Sequence, residues 1–168
     1  CQTMALGDPY VFAWFGELEE GSDRIEPTAA AGVDSAYLEE IEISIDGDEQ
    51  AQGPTASAIA TGEVTIVQDI ATDPDYGPWR GPAMEYGFRS SIAVPVVYRE
   101  RTYGVLNVYA DRPQAFDPRE QRILGELGES IAYALYTLQI ERQQDAQYAA
   151  LERKNEQLEK FAHAVSHD

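Results

Sequence analysis

The sequence predicts an α+β fold in which a β-rich body is followed by one long helix. Two observations support this prediction. The first 110 residues contain four segments rich in β-branched and aromatic residues, separated by Gly, Pro and Asp turn signals. From residue 117 onward no Gly-Pro breaker occurs, and apolar residues recur at spacings of three and four. With 43% hydrophobic residues in a chain of 168, we expect one folded core plus an appendage.

The first predicted strand is residues 9–18, which are almost entirely aromatic, β-branched or small and end at a Gly-Ser-Asp turn. Residues 24–31 are expected to pair back as the hairpin partner. Residues 37–45 show a weak alternation before Asp46-Gly47-Asp48, and this pattern is compatible with either a helix or a strand.

A short helix is predicted for residues 54–61, because Pro54 suits the first helical position and Gly62 a C-terminal stop. A strand over 64–70 follows. Residues 71–82 contain three prolines and two glycines and are predicted to form the longest irregular loop. A short helical piece over 83–86 is expected to end at Gly87.

Residues 90–98 and 102–110 predict a hairpin closed by residues 99–101. Pro95 has no backbone N–H to donate, so it should mark an edge or a bulge. Asp117, Pro118 and Glu120 then predict a helix start with a capping box.

The final helix carries two apolar stripes that are out of phase by about three residues, a discontinuity that can overwind a coiled coil. The first stripe could pack on the sheet or on a second copy of the chain. The polar stretch between the stripes is either a site where twist is stored or a solvated linker. The stripes consist of Leu124, Leu127, Ile131, Ala134 and Leu138, and of Leu151, Asn155, Leu158, Ala162 and Val165.

The charge balance excludes one class of function. Against 30 acidic residues stand only 12 basic ones, a formal net charge of -18, and no basic patch exists to neutralise phosphates. Direct binding of nucleic acid is therefore not expected. Such a carboxylate-rich surface either promotes solubility or is an adaptation to a salt-rich cytoplasm, and we favour the second.

Cys1 is the single cysteine, so no internal disulfide or thiolate metal cage is expected. No apolar run is long enough to span a membrane, and no signal segment is visible, which favours a cytoplasmic location. The chain starts without Met and stops directly after Ser166-His167-Asp168 without a helix stop, as expected of a piece of a longer polypeptide.

Catalytic motifs are absent from the body. The phosphate-binding glycine loops and the hydrolase nucleophile elbow are missing, and both histidines lie in the final helix. Asp69, Asp73 and Asp75 do not follow the calcium-loop spacing and are interpreted as turn residues. His163 and His167 are four residues apart, a spacing that can bind a metal, but no third ligand fits, so no metal site is predicted.

Several segments together resemble a GAF domain, the sensor fold related to PAS domains. They are the short helix ending in Thr61-Gly62, the strand after it, the Ser-to-Pro-Val strand from residue 90, the Tyr-Gly-Val-Leu-Asn-Val strand and the Phe-Asp-Pro helix start. The resemblance covers about residues 10–136. It implies a GAF sensor domain over 1–136, with about six antiparallel strands and a cavity beneath short helices, and a signalling helix over 137–168.

On this resemblance the cavity is expected to hold a small ligand. Each aromatic residue of that region could equally be plain core. Arg80 and Arg89 could bind an anionic ligand or pair with the surplus acids. The candidate ligand-binding residues are Trp14, Trp79, Arg80, Met84, Tyr86, Arg89, Ser90, Asn107 and Tyr109.

The same resemblance excludes several classes of ligand. Cys1 is distant in sequence from the cavity segments, which argues against a bilin linkage, and the body has no His for haem. The acidic pattern of GAF domains that bind cyclic nucleotides is missing. The redox cysteines of a methionine-sulfoxide reductase are missing as well.

The tail, Lys160 to Asp168, resembles the start of the phosphoacceptor box of sensor histidine kinases. This resemblance implies that His167 is the phosphoacceptor and Asp168 its acid/base neighbour. It also implies a homodimer through the C-terminal helix, ATP and Mg²⁺ as cofactors of a kinase domain outside this chain, and a response-regulator receiver domain as partner. Two alternatives stay open: the GAF domain of a transcriptional regulator, or a dimerisation module without a ligand.

Overall fold

The structure is a computed structural model that describes residues 10–22, 24–32, 36–40 and 53–167. The chain divides into two compact units, the first ending at Ala132 and the second starting at Tyr133. The elements in chain order are β1 (Tyr10–Leu18), β2 (Ile25–Gly32), α1 (Ala36–Glu40), α2 (Pro54–Thr61), β3 (Thr65–Val67), a 3-10 helix (Pro74–Tyr76), α3 (Gly77–Glu85), β4 (Ser90–Tyr98), β5 (Arg101–Ala110) and α4 (Pro118–Ser166).

The first unit is built on one antiparallel sheet with the strand order β2-β1-β5-β4-β3. This arrangement confirms the α+β, GAF-like fold class. The described residues contain five strands in this sheet, one fewer than the resemblance implied. Part of the segment that could have supplied a sixth, residues 41–45, lies outside the described residues.

The predicted hairpin of β4 and β5 is confirmed, with Ser90 opposite Ala110 and Tyr98 opposite Arg101. Its turn is a two-residue turn in which Arg99 and Glu100 both have positive φ, 47° and 64°. Such a turn matches the twist of the flanking strands.

Pro95 lies at an edge, as predicted. It pairs with Val105 of β5, whereas β3 pairs only with the stretch from Ser91 to Ala93 of β4. On its other side, Pro95 therefore has no strand partner among the described residues. Its missing N–H costs no ladder hydrogen bond there.

The sheet buries both faces. Because side chains alternate along a strand, Ala93 and Asn107 share one face, and Val94 and Leu106 share the other. The second face packs against the start of α4, where Leu124, Gly128 and Ala132 are buried at intervals of four residues. A Cβ built on Gly128 would lie 2.7 Å from Val94 Cγ1, which shows how closely α4 approaches β4.

Three predicted elements need correction. The irregular loop over 71–82 is in large part helical, since the 3-10 helix and α3 occupy 74–85. The strand predicted over 64–70 is only Thr65–Val67. The ambiguous segment over 37–45 starts as the helix α1, and its remainder lies outside the described residues.

The predicted N-terminus of α4 is confirmed. Asp117 Oδ1 accepts hydrogen bonds of 2.9 Å from the backbone N–H groups of Arg119 and Glu120. The Glu120 carboxylate accepts a hydrogen bond from the Tyr10 hydroxyl, which ties this first turn to β1. No helix among the described residues is long and apolar enough to cross a membrane.

The first apolar stripe of α4 is only partly buried. Leu124 is buried, Leu127 and Ile131 are half-buried, and Leu138 is exposed. Within the second unit, Leu151, Leu158 and Val165 are each more than half exposed.

Candidate ligand pocket

A small cavity lies on the sheet face that α4 does not cover. Its floor is formed by Ser91, Asn107 and Tyr109, which become neighbours because Ser91 pairs with Tyr109, and Ala93 with Asn107. Its walls come from α1, from the start of α2, and from the segment of the 3-10 helix and α3. The lining residues are Tyr37, Gly53, Pro54, Thr55, Ala56, Tyr76, Trp79, Ser91, Asn107 and Tyr109.

Aromatic rings fill most of this space. The Tyr37 ring stands edge-on to Tyr109 at 5.6 Å and to Phe88 at 5.0 Å between centroids. Trp79 is half-buried, stands edge-on to Tyr76 and lies over Gly53, where an added Cβ would be 2.7 Å from the indole Cη2. The cavity volume that remains is about 20 Å³. That is room for only one or two water molecules.

Beneath the rings runs a network of hydroxyl groups. Trp14 is fully buried, and its Nε1 donates a hydrogen bond of 3.4 Å to the Tyr109 hydroxyl. The Tyr109 hydroxyl also hydrogen-bonds with those of Tyr37 and Tyr76. Burial raises the pKa of all three tyrosines, so their hydroxyls stay protonated and neutral at pH 7.

Asn107 is the polar group at the centre of the floor. It is 3% exposed, and its Oδ1 accepts a hydrogen bond of 2.8 Å from Thr55 Oγ1. Its Nδ2 has no hydrogen-bond partner. Buried donors are almost always paired in folded proteins, so this amide is an exception that calls for a reason.

The structure brings three of the predicted ligand-binding residues together in the lining: Trp79, Asn107 and Tyr109. Trp14 lies under them, in contact with Tyr109. Tyr86 is half-buried and packs edge-on against Tyr37 at 5.5 Å, behind the cavity wall.

The other predicted residues are not among those that line the cavity. Arg80 Nε donates to the Ile70 carbonyl at 3.1 Å, and a second nitrogen of the same group donates to the Asp73 carbonyl. The Arg89 guanidinium is 4.0 Å from the Asp69 carboxylate. Ser90 Oγ donates to the Arg112 carbonyl at 2.7 Å, and Met84 is 37% exposed. Arg89 thus lies beside an acidic residue, as in the alternative interpretation, whereas Arg80 binds backbone carbonyl groups.

Sequence reasoning missed several residues of the lining: Tyr37, Gly53, Pro54, Thr55, Ala56, Tyr76 and Ser91. Ser91 could have been found, because it alternates in phase with the inward positions of β4. Tyr37 and Gly53 gave no such signal, since they lie in short segments whose position depends on the tertiary fold.

The tail residues are exposed. His167 follows the end of α4, and its ring lies edge-on to that of His163 with 4.3 Å between centroids. Asp168 lies outside the described residues. Across the described ranges, no group of three or more His, Cys, Asp or Glu side chains is arranged to hold a metal ion.

Residues 2–135 match the GAF domain family. This chain therefore belongs to the GAF family. It is 29% identical over 111 residues to the circadian input-output histidine kinase CikA of Thermosynechococcus vestitus, a match that covers 64% of this chain. It is 32% identical over 128 residues to the bacterioopsin transcriptional activator of Halobacterium salinarum, covering 74% of this chain.

The match spans only 15% of the kinase and 17% of the activator. Among solved structures, the type II free methionine-R-sulfoxide reductase of Thermoplasma acidophilum superposes with a TM-score of 0.64 at 21% identity, covering 80% of this chain and 84% of that chain. At this identity the likeness shows a shared fold.

Proposed function

We propose that this chain is the sensory input segment of a cytoplasmic two-component histidine kinase. In this proposal the GAF body binds a small ligand in the cavity, and α4 passes the signal to His167. The observation that supports this proposal is the continuity of the helix α4. One element of 49 residues starts on the sheet of the GAF body and ends one residue before His167.

The coupling would act across the sheet. The cavity lies on one face of β4 and β5, and the Gly128 region of α4 packs on the other face. A ligand that separates the short helices from the first face changes the curvature of the strands, and the contact of Gly128 with Val94 transmits that change. The ligand shifts the helix only if it binds one packing more tightly than the other.

The output would be a phosphoryl transfer to the imidazole of His167, with Asp168 orienting the ring or accepting its proton. ATP and Mg²⁺ would be bound by a kinase domain outside this chain, and a receiver domain of a response regulator would take the phosphoryl group from His167.

Dimerisation would follow from the second apolar stripe. Leu151, Leu158 and Val165 are spaced by seven residues and are exposed in the single chain. Asn155 and Ala162 alternate with them to complete a heptad seam, and an Asn at one such position favours a defined register. A second copy of α4 would bury this stripe.

The likeness to the histidine kinase CikA supports the kinase context. The likeness to the bacterioopsin transcriptional activator, which is 32% identical over 128 residues, favours a second candidate: the GAF domain of a transcriptional regulator. A GAF body that only dimerises is the remaining alternative.

Phosphorylation of the complete parent polypeptide tests the proposal. Incubated with γ-labelled ATP and Mg²⁺, it should acquire an acid-labile, alkali-stable label that His167→Gln abolishes. His163→Gln is the matched control one helical turn earlier and should keep the label. An unlabelled parent would reject the kinase proposal in favour of the regulator. A label that survives His167→Gln would reject His167 as the phosphoacceptor.

A further inference from the structure

The residues that line the cavity favour one chemical class of ligand, and the fold alone does not require them. Asn107 occupies the middle of the central strand β5, between the buried residues Val105 and Tyr109. Asn is disfavoured at such a position, because strands favour β-branched and aromatic side chains. Its Oδ1 is used by Thr55, and its Nδ2 donor has no partner. A donor left unpaired in an otherwise satisfied hydroxyl network is a group that a ligand can satisfy.

The lining offers nothing to an ionic ligand. All ten of its described residues are uncharged. Arg80 donates to two backbone carbonyl groups, and the Arg89 guanidinium lies 4.0 Å from the Asp69 carboxylate. Arg89 Nε is also a buried donor without a partner, but neither arginine is among the residues that line the cavity. An anion would thus be buried without a counter-charge, in a chain with a net charge of -18.

A cation meets a different obstacle. The aromatic walls attract positive charge, but the lining contains no carboxylate, and the Asn107 Nδ2 donor presents its positive end. The same walls suit a flat apolar body, which can stack on Tyr76 and Trp79 in place of the contacts that these rings now make with each other.

We infer that the pocket selects uncharged ligands that join a flat apolar body to a carbonyl-type acceptor, with the acceptor bound by Asn107 Nδ2. This inference rests on the proposed sensory function and names its ligand class. A body of that size exceeds the cavity of about 20 Å³, so binding must move the Trp79 ring away from Gly53. The Trp79 ring therefore controls entry to the cavity and also reports binding.

Three probes of equal shape and different charge test the inference: benzamide, benzoate and benzamidine. Each is titrated into the 15N-labelled 168-residue chain while the Trp79 indole and the Asn107 side-chain amide are followed by NMR. The Trp14 indole, the other of the two tryptophans, reports on the integrity of the core. Benzamide should shift the Trp79 and Asn107 signals saturably, at a concentration about tenfold lower than either ion.

Two variants separate the donor from its surroundings. Asn107→Leu removes the donor and should weaken benzamide binding by about tenfold or more. Thr55→Val removes the hydrogen bond to Oδ1 but keeps Nδ2, and should leave binding within about threefold. Asn107→Leu also loses the hydrogen bond from Thr55, so its melting temperature and its Trp14 indole signal are compared with those of Thr55→Val, which loses the same bond. If Asn107→Leu does not fold, the order of the three probes on the wild-type chain decides.

Tighter binding of benzoate or benzamidine, the absence of saturable binding by benzamide, or full binding by a folded Asn107→Leu would each overturn the inference. These outcomes are independent of the phosphorylation test. A preference for benzamide with an unlabelled His167 would keep the ligand class and remove the kinase role. A labelled His167 together with a preference for benzoate would keep the kinase role and remove the ligand class.

Discussion

Gly128 of α4 lies against Val94 of β4 so closely that a methyl group at position 128 would be 2.7 Å from Val94 Cγ1 and 3.3 Å from the Pro95 carbonyl oxygen. This contact fixes the distance between α4 and the sheet. Val94 is β-branched and has little rotamer freedom, and the carbonyl belongs to the backbone, so neither can move aside at low cost. The contact therefore limits how closely the helix can approach the sheet.

Gly128→Ala should destabilise the protein by about 1–3 kcal/mol, because overpacking outweighs the better helix propensity of Ala. Gly125→Ala is the matched control: a methyl group there would have no neighbouring atom within 4 Å outside its own turn of helix, and it should stabilise by about 0.5–1 kcal/mol. Urea denaturation measures both. Adding Val94→Ala to Gly128→Ala should restore part of the lost free energy of unfolding. Equal effects of Gly125→Ala and Gly128→Ala would contradict the steric argument.

The turn between β4 and β5 offers a gain in stability. Glu100 has a φ of 64°, a backbone angle that is strained for residues other than Gly. Glu100→Gly should therefore raise the free energy of unfolding by about 0.5–1 kcal/mol. Gly21, in the β1–β2 turn, has a φ of 79° and open space around it, so Gly21→Ala should cost about 1 kcal/mol. Thermal melts measure both changes. A lower melting temperature for Glu100→Gly would show that its side chain stabilises the turn.

The excess of carboxylates predicts a strong dependence on salt. The melting temperature should rise with KCl from about 0.01 M to about 1 M, as the Debye length falls from about 30 Å to about 3 Å and repulsion within the net charge of -18 is screened. A continued rise at higher KCl would support adaptation to a salt-rich cytoplasm. Constant helicity and a constant melting temperature over the whole range would rule out that adaptation.

Three buried tyrosines predict alkaline unfolding. The pKa values of Tyr37, Tyr76 and Tyr109 are raised in the folded state, chiefly by burial. Their contribution to stability is complete below the unfolded pKa of about 10 and declines above it, by about 1.4 kcal/mol per pH unit for each group. Phenolate absorbance of these groups should therefore appear together with loss of near-UV circular dichroism.

Tyr37→Phe should reduce the slope of stability against pH by about a third, since one of the three groups is removed. An early phenolate signal from all ten tyrosines of the chain, with the fold intact, would contradict the burial of these hydroxyls.

Local signals predicted the elements that local chemistry determines. The β4–β5 hairpin was recognisable from two apolar runs on both sides of a polar turn, and the start of α4 from the cap at Asp117. Gly62 ends α2 in the left-handed conformation, as its position after Thr61 predicted.

The segment over 71–82 shows why prediction failed elsewhere. Its prolines and glycines indicated a loop, yet Pro78 falls in the first turn of α3, where a missing N–H is tolerated. Pro82 lies inside the helix, against its propensity. Burial of Ala83 and of Tyr76 just before the helix outweighs that cost, and such burial depends on strands distant in sequence.

The cavity was predictable only in part for the same reason. Asn107 and Tyr109 alternate on one recognisable strand, but Tyr37, Gly53 and Thr55 reach the site from segments that the sheet brings together. The contacts of Arg80 were not predictable either, because two backbone carbonyl groups of its own neighbourhood bind the guanidinium, and no periodicity in the sequence reveals them.

The strand order has a consequence for biosynthesis. β5 is the last strand to leave the ribosome, yet it lies between β1 and β4 at the middle of the sheet. The β1–β2 hairpin must therefore wait for β5, which is far along the chain, before its inner edge is covered. This long-range closure slows folding and leaves an unpaired edge on the nascent chain. Asn107 arrives with that same strand, so the cavity floor is completed only as the sheet closes.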